Sequence, residues 1–169
     1  MFNRSFCRSS HLFESVSKYG PWLVLVLVHL VMLRNALLHD VWTAYDAEAH
    51  LRNVAIYAHG RLPLAGESFQ YFSAPLPYLF PALLMKFGLT LESAARGGIL
   101  LAMGFSVLLF VYLIRLCDLV YPGERWLKLA TVSLLGILPV YYRSFAYLRG
   151  EPLVAFFSIY SLFQLVLVS

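Results

Sequence analysis

The chain has 169 residues, of which 60% are hydrophobic and 13% charged, with a mean hydropathy of +0.72 and a formal net charge of +4. Soluble domains carry about 25% charged residues, so this composition excludes an ordinary soluble globule and indicates an integral membrane protein. In such a protein a basic excess reports topology and not a nucleic-acid partner.

The cysteines, Cys7 and Cys117, lie far apart, so neither a disulfide framework nor a metal-ligand spacing follows. Among the five histidines, no two form a compact ligand pair, and His11 and His29 read as structural or incidental.

Arg4, Arg8 and Lys18 precede the apolar run from Pro21 to Leu33, an arrangement like a signal peptide. No small-residue cleavage site follows; Arg34, Asn35 and His39 come instead. The expectation is an uncleaved span over 21–38 behind a cytoplasmic tail, 1–20. Arg34 near its outer end can snorkel or turn into the protein.

Residues 39–96 form a more polar external loop. Within it, 44–59 reads as a short helix with Leu51, Val54, Ala55 and Ala58 on one side, ended by Gly60 and lying in the membrane interface. Residues 72–86 are apolar but short for a span and hold Pro75, Pro77 and Pro81. An interfacial or re-entrant helix is expected there.

Spans follow at 97–119, 128–142 and 152–169. The last apolar run reaches the end of the sequence with no polar flank, so the chain reads as the N-terminal part of a longer protein. Lipid cannot satisfy exposed backbone groups, so the spans are helices. The fold class is therefore an all-α, polytopic membrane bundle of about four crossings plus interfacial helices.

If 72–86 does not cross, Arg115, Arg125 and Lys128 fall on the cytoplasmic side, as the positive-inside rule asks. Asp46, Glu48, His50, Arg96, Arg143, Arg149 and Glu151 then share the opposite face. If 72–86 crosses, the basic cluster moves outside and Glu151 is parted from Asp46 by the bilayer.

Ionisable residues beside a span are costly without a reason, which makes Tyr45-Asp46-Ala47-Glu48-Ala49-His50 a candidate site. Asp46 and His50 are four apart and share a helical face, while Glu48 points elsewhere. A carboxylate here suits a general base acting on a hydroxyl or amine. Arg96 and Arg149 offer guanidinium forks for a phosphate. Tyr71, Tyr78, Tyr141 and Tyr142 read as interface-belt aromatics. The plainer alternative is a solvated helix with a Glu48–Arg52 ion pair, an interfacial His50 and span-flanking arginines.

The order Asp46-x-x-x-His50, Gly60-Arg61-Leu62-Pro63, Ser73-Ala74-Pro75-Leu76-Pro77-Tyr78, Ala95-Arg96 and Arg149-Gly150-Glu151-Pro152 resembles the start of a GT-C superfamily membrane glycosyltransferase. The resemblance is to glycosyltransferase family 39, related to the protein O-mannosyltransferases, and covers about residues 20 to 165. It implies that Asp46 is the catalytic acid of the first external loop, with Glu48 and His50 beside it. By the same resemblance Arg96 contacts a lipid phosphate, and Glu151 is the second acidic position, 151 − 46 = 105 residues on. It also implies a polyprenyl-phosphate-linked sugar as donor, a protein, lipid or glycan acceptor, and transfer on the non-cytoplasmic side of a bacterial inner membrane.

The sequence departs from that pattern in places. Ala47 stands where the family often has Glu, Ala74-Pro75 replaces Pro-Pro, and no lysine precedes it. Some relatives use a divalent ion and others do not; Asp46, Glu48, His50 and Glu151 offer ligands, but their spacing compels no metal. Relatives commonly have around a dozen spans. A small non-catalytic scaffold or assembly subunit is the alternative from another class. A transporter fragment ranks below both, because the mid-span regions carry almost no ionisable residue apart from His29.

Overall fold

A computed structural model describes residues 4–43, 46–139, 141 and 147–168, with side chains described from Glu14 onward. Tyr45, Tyr142 and Arg143, and the side chains of Cys7 and His11, lie outside that description. The described residues form six helices and no strand: α1 Arg4–Leu38, α2 Ala47–Ala58, α3 Leu76–Lys86, α4 Leu91–Val120, α5 Arg125–Ile137 and α6 Glu151–Val168. Three stretches are long and apolar enough to cross a membrane: Glu14–Leu38, Leu91–Val120 and Glu151–Val168.

The helix of α1 begins at Arg4, so most of the expected tail is helical, and it runs through Pro21 without ending. A membrane helix tolerates proline because neighbours can satisfy the freed backbone. Here α5 packs closely against α1, with Leu129 against Gly20 and Val28 against Gly136.

Asp46 is the N-cap residue of α2, but its side chain makes no capping bond; its oxygens are spent elsewhere, as described below. The buried face of α2 comprises Ala47, His50, Leu51, Asn53, Val54 and Ile56, wider than the stripe the sequence suggests. This helix packs against α3 and α4.

Two of the three prolines are placed where helices accept them, while Pro81 lies inside α3, which runs on through it to Lys86. Pro75 is the N-cap and Pro77 sits in the first turn, where no backbone N–H is needed. At 11 residues the helix is roughly 16 Å long, about half a hydrocarbon core. It is apolar but shorter than the three stretches of membrane-spanning length.

α4 starts at Leu91, earlier than the expected Gly97, because the Thr90 side chain accepts a hydrogen bond from Ser93 N and caps it. This helix is the hub, packing against α1, α3, α5 and α6. Ile99, Met103, Leu109, Phe110 and Ile114 on α4 meet Met32, Val132 and Phe156 in one core.

α5 spans only 13 residues, which is short for the third crossing expected over 128–142; part of that stretch lies outside the described residues. Contacts nevertheless fix its direction. Arg125 at its start reaches Glu14 near one end of the bundle (3.5 Å), and Arg149 reaches Asp46 at the other. Arg125 and Arg149 therefore lie toward opposite ends of the bundle. The ends of α1 and the starts of α4 and α6 gather with α2 and α3 at a single end.

Candidate functional site

At that end Asp46 is the meeting point. Its Oδ1 accepts from Arg149 Nη2 at 2.6 Å, and its Oδ2 lies 3.2 Å from His50 Nε2. The Asp46–His50 pair follows from the four-residue spacing on α2. The arginine arrives from the segment before α6, 103 residues away in sequence. Glu151 stands 3.9 Å from Arg149 Nη1. The structure thus brings together Asp46, His50, Arg149 and Glu151.

Two of the expected site residues are placed differently. Glu48 is exposed and faces Arg52 at 3.6 Å, the i,i+4 pair of the plainer reading. Arg96 donates from Nη1 to the carbonyls of Ala36 and Leu37 at 3.2 and 2.9 Å. It thereby caps the C-terminus of α1, where the helix dipole favours a cation.

Tyr78, expected in an aromatic belt, is fully buried. Its hydroxyl lies 2.7 Å from His50 Nδ1, and its ring stacks on Tyr57 at 5.9 Å and on His50 at 5.7 Å. The only sequence signal for this role was the proline pair Pro75 and Pro77, which fixes the start of α3.

Electrostatics separate the groups. Burial works to raise the Asp46 pKa, but the His50 ring and the Arg149 guanidinium outweigh it and hold the carboxyl below its ordinary value. Burial pushes the His50 imidazole below its ordinary value, against the pull of Asp46. Burial raises the Tyr78 phenol. At neutral pH the site therefore holds an Asp46 carboxylate, a neutral His50 and a neutral Tyr78.

Among the cavities that border this cluster, a mixed polar and apolar one of about 410 Å³ is lined by Asp46, His50, Gln70, Ser73, Tyr78 and Glu151, among others. An apolar groove of about 360 Å³ runs between α3, α4 and α6, lined by Leu76, Leu79, Phe80, Leu83, Leu101, Ala102, Phe105, Leu153 and Phe157. Among the described residues Arg149 is the one charged group on the groove wall, and Pro77 lines both cavities. The Nε of Arg149 is buried and has no hydrogen-bond partner among the described residues.

A divalent ion does not fit this arrangement. Among the described residues no group of three or more His, Cys, Asp and Glu is placed to hold one. Both oxygens of Asp46 already face donors, one of them a guanidinium.

No protein-family model matches the chain, and no match was found among curated proteins or solved structures.

Proposed function

We propose that the chain belongs to a membrane glycosyltransferase of the GT-C type, drawing its sugar from a polyprenyl-phosphate donor. The observation that carries this reading is the position of Arg149. It joins the Asp46 carboxylate to an apolar groove of lipid-chain character, and it holds a buried Nε–H in want of an acceptor. A phosphate at the end of that groove supplies the missing acceptor and suits the guanidinium fork.

In this mechanism the prenyl chain lies in the groove and the sugar in the cavity beside Asp46. An acceptor hydroxyl or amine donates its hydrogen bond to Asp46 and attacks the anomeric carbon from the face opposite the phosphate. The bond from the anomeric carbon to the phosphate oxygen breaks, its electron pair leaves with the prenyl phosphate, and the acceptor's proton passes to the Asp46 carboxylate. The configuration inverts. Arg149 offsets the charge that develops on the leaving oxygen. As the phosphate draws the guanidinium away, Asp46 becomes more basic, which counters its low resting pKa.

Arg96, occupied on α1, positions the bundle end in this reading, and Glu48 has no part in the chemistry. The basic Arg115, Arg125 and Lys128 favour placing the other end of the bundle in the cytoplasm of a bacterial cell, with the site outside.

The test is transfer from a polyprenyl-phosphate sugar in membranes containing the full-length protein. Asp46→Asn is expected to abolish it while leaving expression intact; unchanged turnover refutes the reading. A second reading is a lipid-binding assembly subunit, favoured by the engagement of both Asp46 oxygens in internal contacts. It predicts that Asp46→Asn leaves prenyl-phosphate binding in place and that the wild-type protein transfers nothing.

A further inference from the structure

Asp46, held as a carboxylate, can only accept hydrogen bonds. The ring nitrogen facing it, His50 Nε2, must therefore carry a proton. His50 is buried and neutral, so its other nitrogen, Nδ1, is a bare acceptor. The hydroxyl 2.7 Å from that nitrogen belongs to Tyr78, and a phenol near neutral pH still has its proton to give.

From this geometry we infer that Tyr78 is a positioning residue, whose hydroxyl donates to His50 Nδ1 and so fixes the ring in the tautomer that presents Nε2–H to Asp46. The reverse tautomer sets the Nε2 lone pair against the Asp46 carboxylate. Asp46 would then lose one of its two donors and be free to rotate about the contact with Arg149.

The surroundings make the hydroxyl well placed for this task. Tyr78 is held in the first turn of α3 by Pro75 and Pro77. Its ring is clamped between Tyr57 and His50. Ser73 and Asn53 also lie near its hydroxyl. The chain Tyr78–His50–Asp46–Arg149 therefore runs from a rigid helix start to the polar end of the apolar groove. Leu76, Leu79, Phe80 and Leu83 of the same α3 wall that groove, so one short helix frames both the groove and the histidine.

The tautomer does not depend on any catalytic assignment; its effect on turnover rests on the transfer reading above. The experiment is ¹⁵N NMR of the full chain with labelled histidine in lipid nanodiscs at neutral pH, the His50 signals being assigned by their loss in His50→Gln. Wild-type protein is expected to show a single tautomer with Nε2 protonated, and Tyr78→Phe a mixture of both. A wild-type His50 protonated on Nδ1 overturns the inference, as does a Tyr78→Phe spectrum with the tautomer unchanged. The wild-type measurement alone decides if Tyr78→Phe fails to fold.

With a working transfer assay, Tyr78→Phe should lower kcat on the order of tenfold or more, with KM for the donor unchanged. If the tautomer shifts while wild-type protein transfers no sugar, the glycosyltransferase reading fails and the positioning role stands.

Discussion

Replacing Asp46 by Asn and Arg149 by Gln, singly and together, measures the ion pair at the centre of the site. At a charge separation of about 4 Å and an effective dielectric near 20, two unit charges attract by about 4 kcal/mol. The side chains retain 15% and 27% of their exposure, so part of that attraction is consumed by desolvation, and a coupling of about 2 kcal/mol should remain. Each single variant should lose about 2–3 kcal/mol, since it strands a partly buried charge. The double variant should lose less than the sum of the two, the shortfall being the coupling. Denaturant unfolding in detergent micelles, followed by circular dichroism, gives all four corners of the cycle. A coupling below about 0.5 kcal/mol would show that the short Asp46–Arg149 contact contributes nothing to holding α2 against the start of α6.

The pKa shifts at the same site set a pH profile. Asp46 is depressed, so its stabilisation is complete above the ordinary aspartate value near 3.9 and is lost as pH falls through the lower folded value. His50 is also depressed, so stability is complete above the ordinary histidine value near 6.5 and declines below it. Thermal midpoints should fall in two steps on acidification, the upper one vanishing in His50→Gln; a midpoint that rises between pH 7 and pH 5 contradicts this. Deeper in the bundle, His29 Nδ1 donates to Leu25 O at 2.7 Å, and Ser106 lies 2.7 Å from His29 Nε2 and bonds the Tyr141 hydroxyl. Ser106→Ala should cost about 1–3 kcal/mol by stranding the imidazole nitrogen, and a change within about 0.5 kcal/mol of zero, the usual range of uninvolved positions, would argue against it. The glycines of α4 offer a contrast. A Cβ at Gly98 would lie 2.7 Å from Leu148 and 3.2 Å from Pro81, whereas at Gly104 it meets nothing within 4 Å. Gly98→Ala should destabilise by about 1 kcal/mol or more and Gly104→Ala should stabilise by up to about 1 kcal/mol; the same melts reveal either order.

What the sequence discloses depends on how local the cause is. The membrane class and the long spans follow from hydropathy, a property of each segment alone. The start of α3 follows from Pro75 and Pro77, and the Asp46–His50 pair from helical spacing. Helix starts were harder, because Thr90 caps α4 through Ser93, ahead of the apolar run that marks the span. Long-range partners were least legible. Nothing local distinguishes Arg149, which reaches Asp46, from Arg96, which turns to the carbonyls of α1. Tyr78 resembles any interfacial tyrosine until α2 is laid beside α3. His29 reads as incidental in a linear scan because its partner Ser106 is 77 residues away.

That separation has a consequence for how the protein is made. During synthesis α1 enters the membrane long before Ser106 exists to meet it. Until then the imidazole of His29 lacks the hydroxyl that faces its Nε2 in the folded bundle. The bond that ties the rotation of α1 to α4 can therefore form only once α4 has been made.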